Sequence, residues 1–210
     1  MTTSTLNRAD LGIGSGIALV MAGTFVAIGG TPLLATFVPG LIVTWVIFFG
    51  MYLKQVTLPA GRKLYPIYFG VLAWQFIHFS EEFMTGFRFR FPDLFGSQPF
   101  STDLFVGINM VSYFVFVMAF ILVFAAGRRF LLVPVLFFIV YGALGNAISH
   151  TYWVIWVQGY FPGFFTAQLY WVLGLLLLTR LVGSFRAALI ATTGFAVLLL
   201  SVLTLTMQAA

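Results

Sequence analysis

The chain has 210 residues, 61% of them hydrophobic and only 7% charged, with a mean hydropathy of +1.08. Soluble domains carry about 25% charged residues, so an ordinary soluble protein is excluded and a single polytopic helical membrane domain over 1–210 is expected. The net charge of +5 does not point to nucleic acid, because its Lys and Arg residues fall in short clusters between apolar runs, where they set topology. With no cysteine, disulfides, thiolate metal sites and cysteine nucleophiles are excluded.

Apolar runs of about 20 residues, enough to cross a hydrocarbon core about 30 Å thick, recur along the chain. Residues 11–30 form the first, with Gly12, Gly14, Gly16 and Gly23 offering small surfaces for a neighbouring helix. An uncleaved first helix fits better than a signal peptide, since a second apolar run follows at once. Gly29-Gly30-Thr31-Pro32 turns the chain, and 33–53 is a second span that Pro39 is expected to kink. Residues 54–64 form a polar connection, and 65–84 a third span. Residues 85–102, with Arg88, Arg90, Asp93 and five phenylalanines, read as an amphipathic loop lying in the interface. Further spans are expected at 104–126, 130–152, 164–179 and 187–207. The fold class is therefore an all-α bundle of seven spans, or five full spans after a re-entrant amino-terminal hairpin.

Strict alternation of seven spans puts Arg8, Lys54, Arg62, Lys63, Arg128, Arg129, Arg180 and Arg186 on one side and Arg88 and Arg90 on the other. The positive-inside tendency then places the amino terminus in the cytoplasm.

The third span carries the most informative stretch, Trp74-Gln75-Phe76-Ile77-His78-Phe79-Ser80-Glu81-Glu82. It holds two of the five acidic residues and one of the two histidines. Ionisable groups at membrane depth are costly and face the bundle interior, where they serve function. Counting at 1.5 Å per residue puts His78 about 20 Å and Glu82 about 26 Å above the start of their span, and Asn146 about 24 Å and His150 about 30 Å above the start of theirs. Asn109 lies about 8 Å and Gln168 about 6 Å below the outer ends of two descending spans. A polar layer in the outer third of the membrane follows. Residues three and four apart share a helix face, so Gln75, His78, Glu81 and Glu82 are expected on one inward arc, Asn146 with His150 on a second, and Asn109 with Tyr113 on a third.

Two chemistries fit this layer. In one, His78, Glu82 and His150 bind a divalent metal such as zinc through nitrogen and oxygen, leaving a position open for water. In the other, no metal is present and the carboxylates move protons to and from a lipophilic substrate, an arrangement similar to that of sterol isomerases. The expected catalytic set is His78, Glu81, Glu82, Asn146 and His150. Gln75, Asn109, Tyr113, Trp153, Gln168 and Trp171 are expected to line the substrate pocket. A plainer reading has Glu81 and Glu82 pairing with Arg88 or Arg90 at the headgroup level, and His150 in an aromatic belt.

His78-Phe79-Ser80-Glu81-Glu82, followed two spans later by Asn146 and His150, resembles the HXXEE-domain family of small bacterial membrane proteins, over roughly residues 60–180. The resemblance implies a bacterial cytoplasmic-membrane protein with a site at these residues, and it names no reaction. The expected function is a membrane-embedded enzyme acting on a lipid or isoprenoid-like substrate by acid/base or metal-assisted chemistry, with membrane lipids as its other partners and no nucleic acid. A proton-coupled transporter and a structural subunit of a membrane complex are the alternatives. A retinal protein is excluded, because the last span has no lysine for a Schiff base.

Overall fold

The computed structural model describes residues 5–208. Among them there are helices and connections and no strand. Helix α1 (Arg8–Ile28) opens on a reciprocal cap. The Asn7 side chain accepts from the Asp10 amide at 2.9 Å, and the Asp10 carboxylate accepts from the Asn7 amide at 3.0 Å, which satisfies two otherwise unpaired donors. The backbone leaves helical angles at Gly30 (φ 55°, ψ −177°), a conformation open to glycine and closed to residues with a Cβ. Helix α2 (Gly30–Leu53) then runs back along α1. Trp45 Nε1 donates to Ser15 Oγ at 3.0 Å, Gln55 donates to the Leu6 carbonyl at 3.3 Å, and the rings of Phe25 and Phe37 meet edge to face at 4.8 Å.

The two amino-terminal runs are therefore an antiparallel pair of long helices. The backbone angles stay helical through Pro39, and the break falls at Gly30, within the expected turn. Of the small-residue surface, only Gly14 meets a neighbour, the Phe48 ring, while Gly12, Gly16 and Gly23 face open space.

The remaining helices are α3 (Tyr65–Met84), α4 (Phe87–Asp93), α5 (Thr102–Phe124), α6 (Arg129–Trp156), α7 (Phe164–Val182) and α8 (Phe185–Thr206). Among the described residues six of these eight helices, all but α3 and α4, are long and apolar enough to cross a membrane, consistent with an integral membrane protein. Helix α3 has the length, 20 residues, but Gln75, His78, Glu81 and Glu82 lower its apolarity, so the expected seven spans become six by this criterion. Its amphipathicity is inverted. Tyr68, Val71, Leu72, Gln75, His78 and Glu82 are buried on one face, while Phe76, Ile77, Phe83 and Met84 are exposed.

Helix α6 is the axis of the bundle: 78% of its apolar window is buried, against 11% for α1. Between Phe138 and Gly145 it widens into a π-helix, a distortion common at functional sites. At its start Arg129 Nε reaches the buried Asp10 carboxylate at 2.9 Å, tying α6 to the beginning of α1. Helix α5 packs most closely on the first part of α6, Arg129–Phe137. Higher up the backbones diverge, and aromatic side chains fill the space. The segment 85–102, expected as a loop, is helical in part. It contains α4, whose Phe87 and Phe91 turn inward together with Phe95 and close the bundle over the polar layer.

Candidate metal centre and adjoining pocket

Helix α3 brings His78 and Glu82, one turn apart, to the face that meets α6, and α6 presents His150 to them. His78 and His150 are fully buried, and Glu82 is 6% exposed. His78 Nε2 stands 3.4 Å and His150 Nε2 3.3 Å from the same oxygen, Glu82 Oε1. The imidazoles lie edge to face with centroids 4.9 Å apart. Both separations exceed the usual N–H···O range of about 2.7–3.2 Å, and neither Nε2, nor Nδ1 of His150, has a hydrogen-bond partner. Buried polar atoms are nearly always satisfied, so two unpartnered Nε2 atoms facing one carboxylate oxygen require explanation.

A shared cation supplies one. Zinc bonds of about 2.0–2.1 Å in a tetrahedron put neighbouring ligand atoms about 3.3–3.4 Å apart. Two of the three separations have this spacing, and with their ligand atoms all within 4.8 Å of one another His78, Glu82 and His150 could hold a metal ion. Two histidines and one glutamate also form a ligand set of catalytic zinc, with the fourth position left to water.

Gly163, at the start of α7, packs directly on this group. Its φ is +85°, and a Cβ there would fall 2.5 Å from His150 Cε1 and 2.9 Å from both Glu82 Cγ and His150 Nδ1. From the other side the His150 ring is flanked by Trp153 and Phe87, with centroids at 4.9 and 5.5 Å. His150 is therefore interior, not part of an interfacial belt.

Glu81 leaves the group. One residue along a helix is a rotation of about 100°, and its carboxylate points instead to the start of α7. It accepts from Tyr160 OH at 2.8 Å, Phe165 N at 3.2 Å, Thr166 N at 2.8 Å and Thr166 Oγ1 at 2.5 Å. Thr166 Oγ1 in turn lies 2.8 Å from His78 Nδ1. Neither arginine of the 85–102 segment pairs with a glutamate: Arg88 donates to the Phe100 carbonyl and Arg90 to the Tyr160 carbonyl, each at 3.0 Å.

Beside the centre, with Glu82 in its wall, is a cavity of about 90 Å³. Its apolar lining includes Leu33, Phe37, Phe87, Phe91, Phe105 and Trp153, and its polar lining Gln75, Asn109, Ser112, Tyr113 and Asn146. A chain of hydrogen bonds crosses it. Tyr170 OH donates to Gln75 Oε1 at 2.6 Å, Gln75 Nε2 to Tyr113 OH at 3.2 Å, and Tyr113 OH to Asn109 Oδ1 at 2.9 Å.

Of the residues singled out in the sequence, His78, Glu82 and His150 meet at one point, while Gln75, Asn109, Tyr113, Asn146 and Trp153 line the adjoining cavity. Asn146 shares the α6 face but not the cluster; its amide donates to the Gly142 carbonyl at 2.9 Å. Gln168 and Trp171 lie outside the cavity and converge on Thr151 Oγ1 at 3.4 and 3.3 Å. At this level the inward residues of α7 are Ala167 and Tyr170, both fully buried. Sequence reasoning missed Thr166, Gly163 and Tyr160. Their one signal is position, a Gly-Tyr-Phe-Pro-Gly turn opening the sixth span at the depth of the polar layer. Comparison with known protein families, with characterised proteins and with solved structures finds no match for this chain.

Proposed function

We propose that the chain is a membrane-embedded, metal-dependent enzyme that acts on a lipid or isoprenoid-like substrate. The observation that carries this reading is the pair of 3.3 and 3.4 Å separations from two buried imidazole nitrogens to one carboxylate oxygen, with both nitrogens otherwise unpartnered. His78, Glu82 and His150 would hold a divalent metal such as zinc. Such an ion lowers the pKa of a bound water toward 7 and polarises a carbonyl or phosphoryl oxygen.

The cavity beside Glu82 supports a lipophilic substrate. Its aromatic walls would take hydrocarbon, and the Gln75–Tyr113–Asn109 string with Asn146 would orient one polar group beside the metal. The inverted amphipathicity of α3, polar inside and apolar outside, supports its being a seventh span, since a polar face in a membrane bundle belongs inside. With seven spans the amino terminus is cytoplasmic and the centre lies toward the non-cytoplasmic side. Membership of the HXXEE-domain family belongs to the same reading.

Elemental analysis and native mass spectrometry of the purified protein test it, on the parent and on His150→Ala. One metal per chain in the parent and none in the variant is the expected result. A parent that retains a lipid and no metal after purification from zinc-supplemented medium would overturn the metal and favour acid/base chemistry.

A further inference from the structure

The hydrogen-bond inventory around Thr166 has a consequence for His78. Every group facing the Glu81 carboxylate is a donor: the Tyr160 hydroxyl, the amides of Phe165 and Thr166, and the Thr166 hydroxyl. Four donors match the acceptor sites of an ionised carboxylate, which has no proton to give. The Thr166 hydroxyl owns a single proton. Its candidate acceptors are Glu81 Oε2 at 2.5 Å, His78 Nδ1 at 2.8 Å and the Gly163 carbonyl at 3.4 Å; giving the proton to either of the last two would leave the hydroxyl oxygen and an ionised Glu81 oxygen facing each other as two acceptors at 2.5 Å, so the proton goes to Glu81. The hydroxyl oxygen is then left as the acceptor for the third neighbour, His78 Nδ1, 2.8 Å away. The proton of a neutral His78 is thereby fixed on Nδ1, and Nε2 keeps its lone pair.

We infer that Glu81 and Thr166 are positioning residues for His78: acting in series, they set its tautomer and ring angle so that Nε2 presents a lone pair toward Glu82 and His150. Two acceptors, Nε2 of His78 and Oε1 of Glu82, then face each other at 3.4 Å, an arrangement that a cation between them stabilises and that its absence leaves unfavourable. Outer hydrogen bonds of this kind orient metal-binding histidines and tune their basicity. Here the carboxylate acts through a threonine hydroxyl instead of touching the imidazole, and it is the motif's first glutamate that does so while the second faces the metal. The same contacts draw the turn at Tyr160–Thr166 onto α3, which seats Gly163 against His150 and Glu82. The consequence for metal affinity rests on the metal reading above; the tautomer does not.

The test uses the full chain in detergent micelles, labelled with ¹⁵N-histidine. Only two histidines are present, so the spectrum holds two ring systems, and His150→Ala assigns them. In the metal-free parent, His78 is expected as the Nδ1–H tautomer. Thr166→Val, close to isosteric, removes the acceptor and is expected to bring in the Nε2–H form, with zinc affinity, measured by chelator competition, falling about 10- to 100-fold. Thr166→Ser is expected to restore both.

Nε2–H in the metal-free parent would overturn the inference with no variant needed. Equal zinc affinity of the valine and serine variants would overturn it as well. The expected tautomer together with no zinc binding in any form would instead refute the metal reading and leave the positioning pair standing.

Discussion

Gly163→Ala separates contact with the His78–Glu82–His150 group from ordinary backbone strain. Gly163 and Gly183 both have positive φ, +85° and +74°, but a Cβ on Gly183 meets nothing within 4 Å, whereas on Gly163 it falls 2.5 Å from His150 Cε1. Each alanine variant incurs the left-handed backbone cost of about 1–2 kcal/mol. Only Gly163→Ala adds overlap with close-packed neighbours, which costs about 1–3 kcal/mol. The atoms that must give way belong to the fully buried His150 ring and to the Cγ of the buried Glu82 side chain, not to the free end of a flexible side chain. Gly163→Ala should therefore lose about 2–5 kcal/mol in all, from the sum of the two costs, and Gly183→Ala about 1–2 kcal/mol. Thermal unfolding in one detergent, followed by circular dichroism, ranks the two variants. Zinc titration of both shows where the damage falls: Gly183→Ala should bind like the parent and Gly163→Ala at least tenfold more weakly. Equal stability losses with unchanged zinc binding in both variants would refute the placement of Gly163 against His150 and Glu82.

Three other outcomes follow from particular contacts. Asp10→Ala removes the return bond of the capping box, leaving the Asn7 cap, and the partner of Arg129; such a hydrogen bond contributes about 0.5–1.5 kcal/mol and a charged one about 1.5–3 kcal/mol. The loss of stability should accordingly reach about 2–4 kcal/mol with metal binding unchanged, and a loss of metal would contradict the distance between the two features. Tyr170→Phe leaves the buried Gln75 carbonyl oxygen without its 2.6 Å donor and should cost about 1–3 kcal/mol in chemical denaturation; no measurable change would mean that another donor reaches Gln75. Ligand imidazoles and carboxylates must be deprotonated to bind metal, so bound zinc should be released as pH falls, and retention unchanged down to the acid limit of folding would exclude His78 and His150 as ligands.

The sequence was most legible where a simple period or count governs the outcome. Spacing of three and four put Gln75, His78 and Glu82 on one face of α3, and counting rise per residue brought His150 to the depth of Glu82, which is where the two meet. Glu81 was misread because the expected inward arc spanned about 100°, wide enough to include a residue whose partners are on α7 instead of α6. Gln168 and Trp171 were misread for a related reason. Depth places a residue along a helix and says nothing about which side faces in, and in α7 the inward side belongs to Ala167 and Tyr170. Thr166 carries no charge and no motif, so its role emerges only when the turn before α7 folds onto α3. The phenylalanines of 85–102 alternate with arginines in a way that fits an interfacial segment. The burial of Phe87, Phe91 and Phe95, with Phe89 left exposed, depends on how α4 folds back on the bundle, a tertiary fact with no local sign.

The central claim is that Nε2 of His78, Nε2 of His150 and an oxygen of Glu82 bind one metal ion. X-ray absorption at the zinc edge of the purified, zinc-loaded protein tests it most directly, because imidazoles give a distinctive outer-shell scattering pattern. The account predicts one zinc per chain with two imidazole nitrogens and one or two oxygens at about 2.0–2.2 Å, and loss of bound zinc in Glu82→Gln. A zinc shell without imidazole scattering, or full zinc occupancy in Glu82→Gln, would contradict it.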